Sequence, residues 1–258
     1  IRDPLWSRGL GDVYKRQTDE QKEFKEGDLV ILGGVGGHDT GARLHQILNE
    51  RKIDYFNVEK GYCNWWKPKF WRLTFNENQV TEIKGQWDNK RFTAFNMPMR
   101  PMKKDGEQVY IVAPSQNGFD IYDLPIKVDD WIEQTVTEVK KYTDRPIKIR
   151  RKVPKKARGS RGFCDTLDNI YCVISLHTMA VTEVLREGIP VISMHPGVLK
   201  NYSSNKISQI NNLYYPSDTE RGKLFNCLTN IQFTNQELVD GEALETMCDY
   251  YGIKILPK

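Results

Sequence analysis

Ser175-Leu-His177-Thr178-Met179 is a stretch whose residue types and spacing point to chemistry. It follows the apolar run Ile170-Tyr-Cys-Val-Ile and precedes residues 178–186, whose spacing is helical, so it reads as a turn between strand and helix. Backbone N–H groups at such a helix start, with the positive end of its dipole, suit a diphosphate. Glu183 lies five residues past Thr178, about one and a half turns into the helix, where a carboxylate can accept two hydrogen bonds from a ribose diol. Arg150 and Lys152 follow the short run Ile147-Lys-Ile149 and are placed to neutralise phosphate charge. Ser115 ends the run Val109-Tyr-Ile-Val-Ala113, and His195 ends Val191-Ile-Ser193, where it can line a base pocket. Ser115, Arg150, Lys152, Ser175, His177, Thr178, Met179, Glu183 and His195 thus form a candidate nucleotide-binding set, because open α/β sheets hold ligands beyond the carboxyl ends of their strands.

A second set could move a proton. Gly33-Gly34-Val-Gly36-Gly37 closes the first apolar run and is followed by His38-Asp39. Asp39 is the first choice for a general base acting on an acceptor hydroxyl, His38 the second and Glu59 the third. Asp39 reads equally well as the N-cap of the helix that begins at Thr40. A third set suits nucleic acid: Trp65, Trp66, Lys67 and Lys69, with Trp71 and Arg72 beyond them, interleave aromatic faces with cations. From Lys148 to Arg161, eight cations occupy fourteen positions with no carboxylate, Lys155, Lys156, Arg158 and Arg161 among them. The competing readings are core tryptophans and a solvated basic loop.

These residues must be positioned by a regular framework. Asp28-Leu-Val-Ile-Leu-Gly33 reads as a buried parallel strand, residues 40–52 carry Ala42, Leu44, Ile47 and Leu48 at helical spacing, and Asp54-Tyr-Phe-Asn-Val58 is the next strand. Residues 76–104 are polar and rich in turn formers, and no element is assigned to them. A second series follows, with strands at 109–113, 147–149, 170–175 and 188–193, an amphipathic helix over 128–143 bearing Trp131, Ile132, Val136 and Val139, and two closing helices. Strands alternating with helices predict an α/β fold with parallel sheets.

The expected division is a non-native segment at 1–17, an N-terminal acceptor lobe at 18–105 and a C-terminal nucleotide lobe at 106–258. Residues 1–17 have no sustained period and look like translated adapter read-through from a metagenomic assembly, so they are set aside. With 39% apolar and 28% charged residues over all 258 positions, the chain belongs with folding globular chains, not disordered ones. No apolar run approaches the roughly 18 residues that cross a bilayer and no secretion signal is read, which predicts an intracellular protein with no membrane partner. Five cysteines form no CxxC pair and no metal-spaced cluster, so reduced, mostly buried thiols and no metal site are expected.

Glu183-Val-Leu-Arg-Glu-Gly188-Ile-Pro190 resembles the E-A-L-x-x-G-x-P donor element of GT-B glycosyltransferases, with Val184 at the position where alanine is common. In that resemblance Glu183 matches the acid that holds the ribose, and Gly188 and Pro190 the turn into the next strand. Phe233-Thr-Asn-Gln-Glu-Leu-Val-Asp-Gly241-Glu-Ala resembles the ending of small phage-type glycosyltransferase-like proteins, and Glu59-Lys-Gly-Tyr62 resembles their D-x-G-Y. The aligned blocks span about 28–245. The resemblance implies a GT-B-like fold of two Rossmann-like lobes with a cleft between them, and a UDP-sugar co-substrate, UDP-glucose first. It further implies transfer to 5-hydroxymethylcytosine in viral double-stranded DNA, which protects that DNA from nucleases in the cytoplasm of an infected bacterial cell. Related folds build surface or capsule glycans, and a nucleotide- or DNA-binding module without catalysis is the remaining alternative. Divalent-ion dependence and oligomeric state stay open.

Overall fold

The computed structural model describes residues 29–33, 39–63, 70–121, 124–151, 167–176, 178–195 and 197–254. They form two compact units, one from the residues up to 78 together with those from 231 onward, the other from Gln79–Asn230. This division differs from the single boundary expected at 105/106. Residues 98–105 are hydrogen-bonded into the second unit, and the tail returns to pair with a strand of the first.

The first unit begins as the expected βαβ step: β1 (Leu29–Gly33), α1 (Asp39–Glu50) and β2 (Asp54–Lys60), with β1 and β2 parallel. β1 is an edge strand and not the fully buried one expected. Val30 and Leu32 face inward while Leu29 and Ile31 are 45% and 53% exposed, the alternation of a strand with one solvated face. The sheet then departs from a Rossmann-like pattern. β3 (Trp71–Phe75) runs antiparallel to β2, and the two-residue β8 (Gln232–Phe233) runs antiparallel to β3. The order β1-β2-β3-β8 is therefore mixed. The tail helices α7 (Asn235–Val239) and α8 (Glu242–Tyr251) complete this unit. Thr234 caps α7 with the reciprocal box in which Glu237 bonds back to the Thr234 amide and hydroxyl.

Polar side chains fasten the first unit from within. Gln232 is fully buried, and its amide accepts from the Cys63 N–H at 2.8 Å and donates to the Cys63 carbonyl at 2.8 Å, reproducing a rung of sheet with one side chain. The Gly61 N–H donates to the Phe70 carbonyl at 2.9 Å, and an added methyl at Gly61 would lie 2.8 Å from the Gln232 Oε1. The Glu59-to-Tyr62 and Gln232–Phe233 motifs, at opposite ends of the sequence, meet here as architecture. Arg72 is 3% exposed, its guanidinium donating to the carbonyls of Lys60 and Asn78.

His45, Tyr55 and Asn49 close a ring of hydrogen bonds in the same unit. Nε2 of His45 is 2.8 Å from the Tyr55 hydroxyl, that hydroxyl donates to the Asn49 Oδ1 at 3.3 Å, and the Asn49 Nδ2 donates to the His45 Nδ1 at 3.3 Å. All three contacts are satisfied by the neutral imidazole with its proton on Nε2. Burial lowers the His45 pKa, and it pushes the Tyr55 hydroxyl up to about 12.

The second unit holds the parallel sheet. β4 (Gln108–Val112), β5 (Ile147–Arg150), β6 (Ile170–Ser175) and β7 (Val191–Ser193) lie in the order β5-β4-β6-β7, every pair parallel. On one face Val109, Ile111, Cys172, Ile174 and Ile192 pack with Trp131 and Ile132 of α4 (Val128–Val139) and with Phe119 of α3 (Gln116–Ile121). α5 (Ala180–Arg186) packs on β6 and β7, burying Val181, Thr182, Val184 and Leu185. Two glycines permit backbone approaches closer than any side chain allows. An added methyl at Gly106 would lie 2.2 Å from the Ile170 carbonyl, and one at Gly188 would lie 2.0 Å from the Pro101 carbonyl oxygen. Gly188 also has φ +79°, the left-handed conformation that ends α5. The segment to which the sequence assigns no element holds α2 (Lys90–Ala94), whose Phe92 stacks on Phe225 of α6 (Asp218–Asn230) at 5.5 Å.

Candidate nucleotide site at the carboxyl edge of the parallel sheet

The chain leaves β4 in one direction to form β5, then crosses back over β4 to form β6. The order reverses between β4 and β6, and the crevice beyond their carboxyl ends is the ligand position of such sheets. Pairing brings four residues into one row across that edge: Arg150 opposite Val112, Val112 opposite Ser175, and Ser175 opposite Ser193. Ser115 follows β4 at the start of α3, where its carbonyl accepts from the Gly118 N–H at 2.8 Å. The pairing of β6 and β7 continues past the strands, with the His195 N–H donating to the Leu176 carbonyl at 3.1 Å, so His195 stands beside the turn that leads to Thr178 and Met179. Glu183 is half-buried, one turn into α5, between the buried Thr182 and Val184.

These positions divide by what their side chains already do. Ser175 is 1% exposed and its hydroxyl donates to the Val112 carbonyl at 3.1 Å, clipping β6 to β4 at the switch point. The Thr178 hydroxyl accepts from the Ala180 N–H at 3.4 Å, while Met179 at the N-cap makes no side-chain cap bond. Thr182 bonds back to the Met179 carbonyl at 2.8 Å. These hydroxyls therefore hold the turn in shape, while Arg150, Glu183 and His195 carry the functional groups whose chemistry suits a nucleotide. Arg151, the neighbour of Arg150, pairs with Asp129 of α4. Ser193 was not singled out by the sequence, although its place at the end of a strand was the available signal. It completes the row, and its hydroxyl donates to the His195 carbonyl at 3.3 Å, which fixes the backbone of that histidine.

The C-terminal side of α5 explains the Gly188-Ile-Pro190 element in structural terms. Arg221 is fully buried, and its Nη1 donates to the Leu185 carbonyl at 3.0 Å and the Arg100 carbonyl at 2.7 Å. A cation is thus set against the negative end of α5 and ties it to residues 98–103.

In the first unit, α1 begins at Asp39, on the side of the sheet where β1 ends, and Glu59 is the penultimate residue of β2, opposite Arg72 of β3. Those two candidate bases share the carboxyl edge of the β1-β2 pair. His38, Lys152, His177, Trp65, Trp66, Lys67, Lys69, Lys155, Lys156, Arg158 and Arg161 lie outside the described residues, as does the side chain of Asp39. Among the described residues no group of three or more His, Cys, Asp or Glu could hold a metal ion, and no helix is long and apolar enough to cross a membrane. A scan against models of known protein families finds no match, and a search of curated proteins finds none either.

Proposed function

We propose that the chain is a glycosyltransferase whose 79–230 unit takes a nucleotide-sugar, a UDP-sugar in the first instance. The proposed acceptor is the hydroxymethyl group of a modified pyrimidine in viral DNA, within an infected bacterial cell. In this reading the two units are the lobes of a GT-B-like enzyme. The observation that carries it is the row Arg150, Val112, Ser175, Ser193 at a β4/β6 switch point, with Glu183 on the helix that follows β6. Arg150 offsets the charge of the diphosphate and Glu183 accepts from the ribose hydroxyls. The clipped hydroxyls of Ser175, Thr178 and Thr182 keep the turn from collapsing into the crevice when it is empty.

The chemistry is a substitution at the anomeric carbon. The acceptor oxygen bonds to that carbon, its proton passes to a first-unit base (Asp39, His38 or Glu59), and the bond to the diphosphate breaks with its electron pair leaving on phosphate. Arg150 stabilises the charge that develops on the leaving group, which is where a fixed cation lowers a barrier most.

The test is to incubate the protein with hydroxymethylated duplex DNA and a panel of nucleotide-sugars and to weigh the digested nucleosides. A hexose added to the modified pyrimidine is expected. Consumption of donor with a glycan acceptor alone would move the enzyme to surface glycans, and no consumption of any donor would leave a binding module. Glu183→Ala removes two hydrogen bonds of about 1.5–3 kcal/mol each and should weaken donor binding at least about tenfold in calorimetry, with Arg150→Ala acting in the same direction. Unchanged affinity in a folded Glu183→Ala protein would reject the site.

A further inference from the structure

The amino edge of the parallel sheet carries a second charged surface. Residues 98–105 cross it as an extended strap whose backbone is held at three points. The Arg100 N–H donates to the Arg186 carbonyl at 2.8 Å, the Lys103 N–H to the Gly188 carbonyl at 2.6 Å, and Arg221 to the Arg100 carbonyl at 2.7 Å. The absence of a side chain at Gly188 lets Pro101 seat against it. From this fixed strap Arg100, Lys103 and Lys104 are exposed, and they line an open groove of about 590 Å³.

Two carboxylates share the lining, Asp105 and Glu187, and Glu187 is already paired with Arg186 at 2.7 Å. The Lys104 ammonium sits 5.3 Å from the centre of the Tyr215 ring. On the same edge the Arg145 guanidinium stacks 3.8 Å from the Tyr171 ring and donates to the Gly106 carbonyl at 3.2 Å. Aromatic faces and carbonyls orient these cations without neutralising them.

We infer that this strap is a binding surface for the phosphate backbone of nucleic acid. Small ligands bind where most of their surface is enclosed, and an open groove does not enclose one. A polyanion needs no enclosure, because each phosphate neutralised by a cation releases counterions and the gain accumulates along the chain. Three cations on one rigid strap suit that mode. The five residues of β4 span roughly 15 Å between this edge and the switch point, so the contact is separate from the proposed donor crevice and acts as a hold on the acceptor polymer.

The inference deepens the acceptor half of the proposed function, and its test uses neither donor nor modified base. Anisotropy of a labelled unmodified duplex is followed from about 50 to about 200 mM salt with the wild-type protein and with Arg100→Gln/Lys103→Gln/Lys104→Gln. The triple variant should bind more than tenfold weaker at the low end, and its slope of log affinity against log salt should be shallower by about 3, at roughly 0.9 per phosphate contact. The charge-conserving Arg100→Lys/Lys103→Arg/Lys104→Arg protein should keep both affinity and slope, which separates charge from folding. An unchanged slope in the glutamine variant overturns the inference. So does displacement of the duplex by inorganic triphosphate at equal phosphate concentration, since that marks a site for a compact anion. Strap binding without sugar transfer would leave this inference standing and remove the enzyme reading, and transfer with an unchanged slope would do the reverse.

Discussion

Both sheets use close glycine approaches and side chains bonded to backbone, Gly61 in one and Ser175 in the other, but they lean on them to different degrees. The parallel sheet is held by steric closeness: Gly106 against Ile170, Gly188 against Pro101, and an apolar layer over Val109, Ile111 and Ile174. The mixed sheet is held by polar side chains standing in for backbone: Gln232 on Cys63, Arg72 on Lys60 and Asn78, and the ring of His45, Tyr55 and Asn49. Sheets of the first kind fail when an atom is added. Sheets of the second kind fail when a hydrogen bond is removed or a proton arrives.

The comparison is sharpened most by the glycines. Gly188→Ala forces a methyl into the Pro101 carbonyl at a positive φ, and Gly106→Ala forces one into Ile170. Each should cost about 4 kcal/mol or more, read as a loss of urea midpoint or as failure to fold. An alanine tolerated at either position would break the steric half of the comparison.

Next is Gln232→Ala, which takes from the buried Cys63 N–H and carbonyl the two hydrogen bonds that the Gln232 amide supplies. A loss of about 2–3 kcal/mol is expected in the same measurement, from those lost hydrogen bonds and not from lost volume. Gln232→Leu preserves size and should be no better than alanine, whereas a well-tolerated leucine would show that the side chain acts by filling space.

The smallest effect concerns protons. The folded-state pKa of His45 lies below the usual value of 6.5 because burial disfavours the charged ring. The unfolded chain therefore binds the proton more readily, so the stability contributed is full above about pH 6.5 and is lost as the pH falls toward the lower folded-state value. His45→Gln should flatten that part of the stability profile, and a profile that stays as steep without the histidine would assign the acid sensitivity to other groups.

The same contrast decides how much was legible in the sequence. The parallel sheet could be read because β4, β6 and β7 are largely apolar runs buried on both faces. The runs at 109–113, 147–149 and 170–175 each became a strand, and Ser115, Arg150 and His195 reached the edge where the runs placed them. The helix expected over 128–143 ends at Val139, where Lys140 caps it and the chain turns. The mixed sheet was half hidden. β3 alternates aromatic, basic and polar residues because Arg72 is buried against carbonyl groups, which have no signature in sequence. β8 is two residues long and acquires its meaning from Cys63, 169 positions away. Among the described residues Cys63, Cys172, Cys227 and Cys248 are buried, as the expectation of mostly buried thiols has it.

The contact between Gln232 and Cys63 also sets an order of events during synthesis. Residues 79–230 emerge from the ribosome consecutively, so the parallel sheet can close as soon as its own last helix is made. The strands that emerge before it cannot. β3 lacks its β8 partner and the Cys63 turn its two Gln232 contacts until residue 233 has been translated, which leaves a sheet edge waiting while residues 79–230 are built. β1 to β3 are made before the parallel unit yet secured after it, and a ribosome stalled between the codons for Asn230 and Gln232 would display a finished parallel unit tethered to an unfinished mixed one.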